Sequence, residues 1–340
     1  MINLKSDYVG IAHPKILQKM NELQFNTYEG YGLDQISIDA EVAIKKEINS
    51  PNSKVYFLTG GTITNKVFIS HVLKPYEAVI STDCGHINVH ETGTIEQGGH
   101  KILTVCHHLG KIKPDQIKKV VLEHTDEHMV KPKLVYITDA TEYGTIYSKE
   151  ELIAISNVCR ELNLYLFLDG ARLGVAMVSE ENDLTLNDLT KLTDAFYIGG
   201  TKNGALLGEA LIINNPLLQN EFRYSIKHYG GLYAKGFVAG IQFLTLFTDN
   251  LFYDIANYQV KLCTKLKKGL SDLGIKFQIE TNTNQIFPIL TTEILNKINN
   301  SIKYSIWEKI DDTVVIRLVT HYLLTEKDID EVIKIFKDIL

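Results

Sequence analysis

Short apolar runs alternate with amphipathic segments along the first part of the chain. Seven runs predict strands: Val55–Leu58, Ala78–Ile80, Ile102–Val105, Leu134–Ile137, Leu164–Leu168, Ala195–Ile198 and Ala210–Ile213. These runs are nearly continuous in apolar residues, which is typical of strands covered on both faces. Helical patterns lie between many of them, such as Ser148–Leu162, where Ser148 and Glu151 have capping-box spacing. The alternation predicts an α/β fold: a mostly parallel sheet with helices on both faces.

The pattern changes near residue 236. A long helical stretch, Gly236–Leu273, is interrupted at Thr248–Asn250. Three short strands and an amphipathic helix follow: Lys276–Ile279, Ile286–Leu290, Val314–Val319 and Glu326–Leu340. This order predicts a smaller C-terminal α+β domain. We place the large domain at residues 1–245 and the small domain at residues 246–340, with the N-terminal segment packing on either one.

Composition narrows the classes of function. A chain of 340 residues with 45% hydrophobic residues can bury a large core, and its net charge of −6 gives no basic surface for nucleic acid. No apolar run approaches the roughly 18 residues of a membrane span, and Met1–Gly10 lacks the apolar region of a signal peptide. The four cysteines form no CxxC pair, which indicates free thiols. We expect a cytoplasmic enzyme with a small-molecule substrate and neither nucleic-acid nor membrane partners.

Two polar segments directly follow predicted strands. Asp169–Arg172 follows Leu164–Leu168, and Gly199–Gly204 follows Ala195–Ile198 and contains Lys202, 33 residues after Asp169. Ligands of parallel sheets gather at the carboxyl ends of strands. A carboxylate there suits the pyridine nitrogen of pyridoxal 5'-phosphate (PLP), and a buried lysine suits a Schiff base with its aldehyde. Considered separately, the aspartate could simply cap a helix and the lysine could lie in an exposed turn.

Three further motifs fit a phosphorylated cofactor and a carboxylate substrate. The loop Thr59–Asn65 precedes a helix, so its free N–H groups suit a phosphate, although a plain capped turn is the alternative. His86 follows another strand and is placed to lie on a pyridine ring, unless it is an ordinary core histidine. Arg317 lies within an apolar strand and needs a carboxylate, either from a substrate or from a structural ion pair. Adjacent His107 and His108 point to opposite faces of a strand, and we assign no metal site.

The order of these motifs resembles the fold type I PLP enzymes and, within them, the low-specificity L-threonine aldolase or β-eliminating lyase family. The resemblance covers nearly the whole chain, from Ser6-Asp7 and His13-Pro14 through Tyr31–Asp34 to Thr320-His321. Its most specific motif is Asp169–Arg172. It implies cleavage of a β-hydroxy-α-amino acid, of the L-threonine or L-allo-threonine type, to glycine and an aldehyde.

The resemblance also implies residue roles. Lys202 forms the Schiff base, Asp169 binds the pyridine nitrogen, and His86 stacks on the ring and is the candidate base for the substrate hydroxyl. The cofactor phosphate would be held by Gly61, Thr62 and Thr201. The substrate carboxylate, or the part of the cofactor near it, would be held by Ser6, Arg172 and Arg317. Lys227 and Lys235 would reach the phosphate of a neighbouring subunit, in a homodimer or homotetramer with shared sites.

The chain departs from the family pattern at two places. Much of the family has a Glu-Asn-Thr-His stretch where this chain has Ala140–Thr145, so a second histidine is missing. The lysine motif Thr201–Glu209 also differs from the commoner Ser-Lys-Gly-Leu-Gly-Ala. Substrate choice and stereochemistry therefore stay open. The alternatives are a β-eliminating lyase, an aminotransferase, a desulfurase using Cys84, and a PLP-binding regulatory protein.

Overall fold

The computed structural model describes residues 1–340, and its elements follow the predicted alternation. The strands are β1 (Ile2–Asn3), β2 (Lys54–Leu58), β3 (Glu77–Thr82), β4 (Ile102–Val105), β5 (Lys131–Thr138), β6 (Tyr165–Asp169), β7 (Ala195–Gly199), β8 (Glu209–Ile213), β9 (Gln285–Ile286), β10 (Ile289–Thr291), β11 (Ile302–Lys303), β12 (Ser305–Ile310) and β13 (Thr313–Val319).

The α-helices are α1 (Pro14–Glu22), α2 (Gln35–Glu47), α3 (Gly61–Val72), α4 (His86–Val89), α5 (Thr94–Gln97), α6 (Pro114–Glu123), α7 (Lys149–Glu161), α8 (Leu173–Met177), α9 (Leu186–Leu192), α10 (Phe222–His228), α11 (Phe237–Leu246), α12 (Leu251–Asp272), α13 (Thr292–Ile298) and α14 (Glu326–Ile339). None of them combines the length and the apolar character that crossing a bilayer requires. The capping box predicted for α7 is present, with Ser148 and Glu151 each bonding the other's backbone N–H.

Seven strands form the central sheet in the order β2-β8-β7-β6-β5-β3-β4. The pairs from β4 through β3, β5 and β6 to β7 are parallel, whereas β8 runs antiparallel to both β7 and β2. Buried apolar clusters of 39 and 18 residues pack against the sheet, which accounts for the continuous apolar runs. The predicted α/β fold with a mostly parallel sheet is confirmed.

A separate core of 18 buried residues lies in the C-terminal part. It combines α12 and α14 with the strands around β13, and Leu4 of the N-terminal segment is also a member. Strand β1 pairs in parallel with β11, so the N-terminal segment packs on the C-terminal part. Helix α12 contributes Phe252 to the large core and Leu266 to the small one. We propose that the domain boundary lies between residues 245 and 246, at the end of α11.

One predicted strand is wrong. The segment Lys276–Ile279 forms no strand, and only an isolated bridge joins Phe277 to Pro288. The exposed strand β12, which pairs with β13, did not stand out in the sequence. Its side chains are mostly exposed, so it lacks the apolar run that marks a buried strand.

Candidate active site

The carboxyl ends of β2, β3, β5, β6 and β7 open on one cavity. Seven residues selected from the sequence lie in its wall: Gly61, Thr62, His86, Asp169, Arg172, Thr201 and Lys202. They come from four strand ends: Gly61 and Thr62 follow β2, His86 follows β3, Asp169 ends β6 with Arg172 just after it, and Thr201 and Lys202 follow β7. Parallel strands deliver their carboxyl ends to the same edge, so residues far apart in sequence meet there.

The carboxyl group of Asp169 is the most heavily bonded group in the cavity. Its Oδ1 accepts from Ala171 N (3.0 Å) and from the Tyr197 hydroxyl, and its Oδ2 accepts from Asn65 Nδ2 (3.0 Å) and the Tyr136 hydroxyl. Burial alone would raise its pKa, but the charge of His86 and these side-chain hydrogen bonds outweigh burial and lower the pKa of Asp169. The group is therefore held as an anion, the form that pairs with a protonated pyridine.

His86 is fixed by a buried acid. Its Nδ1 lies 2.8 Å from Glu91 Oε1, which also accepts from Asn65 Nδ2 at 2.7 Å. Burial opposes the charged imidazole, but the Glu91 hydrogen bond and the Asp169 charge prevail and raise the pKa of His86. Asn65 thereby joins the acid behind His86 to Asp169, and all three side chains keep a defined orientation.

Lys202 lies in the loop after β7, and its amine makes no hydrogen bond within the chain. Burial lowers the pKa of Lys202, and the Arg172 charge adds to that effect against the opposing charges of Asp7, Asp169 and Glu209. Glu209 begins β8 and accepts from Gly200 N at 2.8 Å. Burial raises the pKa of the Glu209 carboxyl to about 7, although the Gly200 bond and the Lys202 charge oppose the rise. A lowered pKa increases the share of neutral amine, which is the form that attacks an aldehyde.

Helix α3 begins at this cavity without a side-chain cap. Its N-cap is Gly60, which has no side chain to satisfy the first N–H groups, and a Cβ built on Gly60 meets nothing within 4 Å. Free N–H groups and the positive end of a helix dipole favour a phosphate. Thr201 faces the same cavity and accepts from Gly208 N at 3.0 Å. The open cradle, the free lysine and the anionic aspartate together fit PLP.

Arg172 is paired within the chain. Its Nε and Nη2 donate to the two oxygens of Asp7 at 2.7 and 3.0 Å, and Asn284 Nδ2 donates to Asp7 as well. Burial would raise the pKa of Asp7, but the charges of Arg172 and Lys202 lower it to about 2. The bidentate pair ties the N-terminal segment to the loop after β6. It leaves the Arg172 fork committed to Asp7.

Arg317, in contrast, has no acidic partner. It lies on β13 in a second cavity beside the first, where its guanidinium carbon is 5.3 Å from the centre of the Trp307 ring. Its side-chain hydrogen bond is long, with 3.4 Å between Nη1 and Gln285 Oε1. Its buried Nε has no hydrogen-bond partner. Burial and the Arg172 charge lower the pKa of Arg317 to about 10. A structural ion pair therefore does not explain this residue, whereas an incoming carboxylate would satisfy it.

Three residues selected from the sequence lie outside both cavities. Ser6 is buried and lines neither of them. Lys227 and Lys235 are exposed, and the Lys227 amine lies 4.8 Å from the centre of the Tyr31 ring. In a single chain these two lysines do not reach the cavity.

Comparisons with known proteins show the family of this chain. Residues 3–293 match the beta-eliminating lyase family. The chain belongs to that family. This member of the beta-eliminating lyase family is 32% identical over 283 residues to the low-specificity L-threonine aldolase of Pseudomonas sp. The match covers 81% of each chain. The predicted resemblance and the assignment to a PLP-dependent lyase family are confirmed.

Solved structures extend the family likeness to the fold. The Leishmania major threonine aldolase structure superimposes with a TM-score of 0.98 at 43% identity and covers 99% of both chains. An aspartate aminotransferase variant of Thermus thermophilus gives a TM-score of 0.75 at 13% identity, covering 100% of this chain and 92% of its own. At that identity the likeness shows the fold alone, which is fold type I of the PLP enzymes.

Proposed function

We propose that this lyase family member cleaves a β-hydroxy-α-amino acid of the L-threonine or L-allo-threonine type to glycine and an aldehyde. The observation that carries the proposal is the unpaired Arg317 beside a cavity that holds Lys202 and the anionic Asp169. This arrangement suits an α-amino acid, whose carboxylate and amine require separate partners. The names of the relatives from Pseudomonas and Leishmania support the same reaction.

We propose that PLP is the cofactor. Lys202 would join it covalently, Asp169 would pair with its pyridine nitrogen, and Gly61, Thr62 and Thr201 would surround its phosphate. His86, held by Glu91, would lie against its ring. When bound, PLP withdraws the electron pair left on Cα after one of its bonds breaks.

The chain's own residues select which Cα bond breaks. Arg317 fixes the carboxylate of the amino acid, and a fixed carboxylate limits rotation about the bond between nitrogen and Cα. The anionic Asp169 keeps a positive charge on the pyridine side, which the developing negative charge requires. The charge of Arg172 lowers the pKa of the nearby Lys202 amine and favours its neutral form, whereas the charge of Asp7 opposes this effect.

The desulfurase alternative is weaker. That reaction needs a reactive thiolate, and Cys84 is the nearest cysteine to His86 in sequence. Burial first, and then the charges of Glu142 and Asp83, raise the pKa of the Cys84 thiol to about 12. A thiol of that kind stays protonated at neutral pH and is a poor nucleophile.

We further propose that two subunits share each site, with Lys227 and Lys235 of one subunit reaching the phosphate in the other. Both lysines are exposed, and the Lys227 amine lies 4.8 Å from the centre of the Tyr31 ring; Tyr31 and Leu33 are large apolar residues that are also exposed. Exposed apolar side chains that cluster in this way mark an interaction surface. The four free cysteines support a reducing, cytoplasmic location.

Borohydride reduction tests the cofactor assignment. The holoenzyme is reduced and digested, and the peptides are sequenced by mass spectrometry. A pyridoxyl group on Lys202 is expected because this amine has a lowered pKa and lies in the cavity. Lys202→Ala should lose the label while exposed Lys191 stays unmodified. A label on another lysine would overturn the assignment.

A further inference from the structure

Two residues, His90 and Glu142, line both the cavity of Lys202 and the cavity of Arg317. Consider an amino acid whose amine faces Lys202 and whose carboxylate reaches Arg317. Such a molecule must extend across the boundary between the two cavities. The β-carbon of such a substrate, one bond from Cα, therefore lies near this boundary. The group that handles the β-hydroxyl should be one of these two residues.

Glu142 is already committed to the backbone and to a hydroxyl. Its Oε1 accepts from His86 N at 2.9 Å, and its Oε2 accepts from Thr138 Oγ1 at 2.8 Å. These bonds hold the start of α4, the short helix that begins at His86 and is followed directly by His90. Glu142 thus acts as a positioning residue for both histidines.

The two histidines differ in what their rings are free to do. His86 Nδ1 is bound to the buried Glu91, which favours its charged form. The His90 ring has no hydrogen bond within the chain, is exposed to the cavity, and lies with its centroid 5.5 Å from that of His86. The ring nitrogens of His90 have no partner and are free to accept a proton, whereas Nδ1 of His86 is already engaged by Glu91.

We propose that His90 is the base that takes the proton of the substrate's β-hydroxyl, a role that rests on the proposed aldol cleavage. A ring nitrogen of His90 takes the proton, and the O–H electron pair becomes the second carbon–oxygen bond of the aldehyde. The Cα–Cβ bond breaks, and its electron pair stays with the glycine fragment. That fragment later takes up one proton at Cα, so glycine and the aldehyde account for every atom of the substrate.

The charges around His90 support the neutral form. Burial lowers the pKa of His90, and the charges of His86 on its own helix, Arg317 on β13 and Lys202 after β7 lower it further. Glu142, on the loop after β5, is the acid that lines the same boundary. A base with a lowered pKa is ready at neutral pH. Activity is then present above that pKa and lost as the pH falls through it.

The test compares His90→Asn with His128→Asn, an exposed histidine on a distant loop. Three quantities are measured on holoenzyme: the kcat/KM for cleavage of L-allo-threonine, its pH profile, and the dissociation constant of glycine from the absorbance change of bound PLP. For His90→Asn we expect a loss of about 10²- to 10⁴-fold in kcat/KM, which is the usual contribution of a general base. The glycine constant should stay within about threefold, because glycine has no β-hydroxyl. His128→Asn should match the wild type.

Two further measurements separate a base from a structural role. Imidazole added to His90→Ala should restore part of the cleavage, and the acid limb of the pH profile should disappear in His90→Asn. Cleavage by His90→Asn within about threefold of wild type would overturn the proposal, as would equal loss of cleavage and glycine binding. A wild-type enzyme that binds glycine but cleaves no β-hydroxy amino acid would instead overturn the proposed function, and the role of His90 with it.

Discussion

Asp169 receives hydrogen bonds from Asn65, Tyr136, Tyr197 and the Ala171 backbone. Asp169→Asn keeps the shape but removes the charge, because an amide cannot balance a pyridinium. Loss of one charged hydrogen bond, about 1.5–3 kcal/mol, already corresponds to roughly ten- to a hundredfold in rate, and loss of the electron sink adds to it. Steady-state kcat should fall by at least about 10²-fold while PLP absorbance persists. Near-normal turnover, equal to that of the surface variant Asp115→Asn, would contradict the assignment.

Arg317→Lys tests the carboxylate site. A lysine keeps the charge but lacks the planar fork, so amino-acid binding should weaken by roughly ten- to a hundredfold. Glycine titration followed by PLP absorbance measures the change, and Arg160→Lys on the surface serves as the control. An unchanged glycine affinity would show that Arg317 has a structural role despite its lack of an acidic partner.

Several site residues could be predicted from the sequence because they lie at or just after the end of a strand, whereas the tyrosines that lie within strands could not. Asp169 and Lys202 stood out because polar residues directly follow apolar runs there. Tyr136 and Tyr197 were missed because they lie inside such runs, where a tyrosine is ordinary core material. The pairing of Arg172 with Asp7 joins residues 165 positions apart, and no local pattern reports such a contact.

At the scale of elements, helix α3 makes a separate prediction. Its first N–H groups are uncapped at Gly60, so the phosphate of PLP should contribute strongly to cofactor affinity. Apoenzyme should bind pyridoxal, which lacks the phosphate, at least about tenfold more weakly than PLP. Fluorescence titration of both compounds measures this ratio. Equal affinities would mean that the start of α3 does not hold the phosphate.

The buried strands of the sheet were predictable because their two covered faces demand continuous apolar residues. Helix α7 was predictable from its capping box, which the structure contains. Strand β12 was not predictable, because four of its six side chains are exposed and the other two are half-buried, so no apolar run marks it. It is a strand because it pairs with β13. The segment Lys276–Ile279 was wrongly predicted as a strand for the opposite reason. Its residues are typical of a strand, but a single isolated bridge, from Phe277 to Pro288, is its only strand-like pairing.

At the scale of the whole molecule, shared sites can be tested by mixing subunits. Lys202→Ala and the double variant Lys227→Ala/Lys235→Ala should each be poorly active, since each lacks one side of the proposed site. Co-expression should restore about a quarter of wild-type activity if the subunits pair randomly as dimers. Analytical ultracentrifugation checks that the mixed species is an oligomer. No recovery in a proven mixed oligomer would place both lysines outside the site.

The central claim, aldol cleavage at Lys202, is tested most directly by product stoichiometry. Purified holoenzyme is given L-threonine or L-allo-threonine without any keto acid, and acetaldehyde and glycine are quantified together. The account predicts the two products in equal amounts, with no activity in Lys202→Ala. No cleavage of either substrate, with conversion of the cofactor to its pyridoxamine form, would contradict it and indicate an aminotransferase.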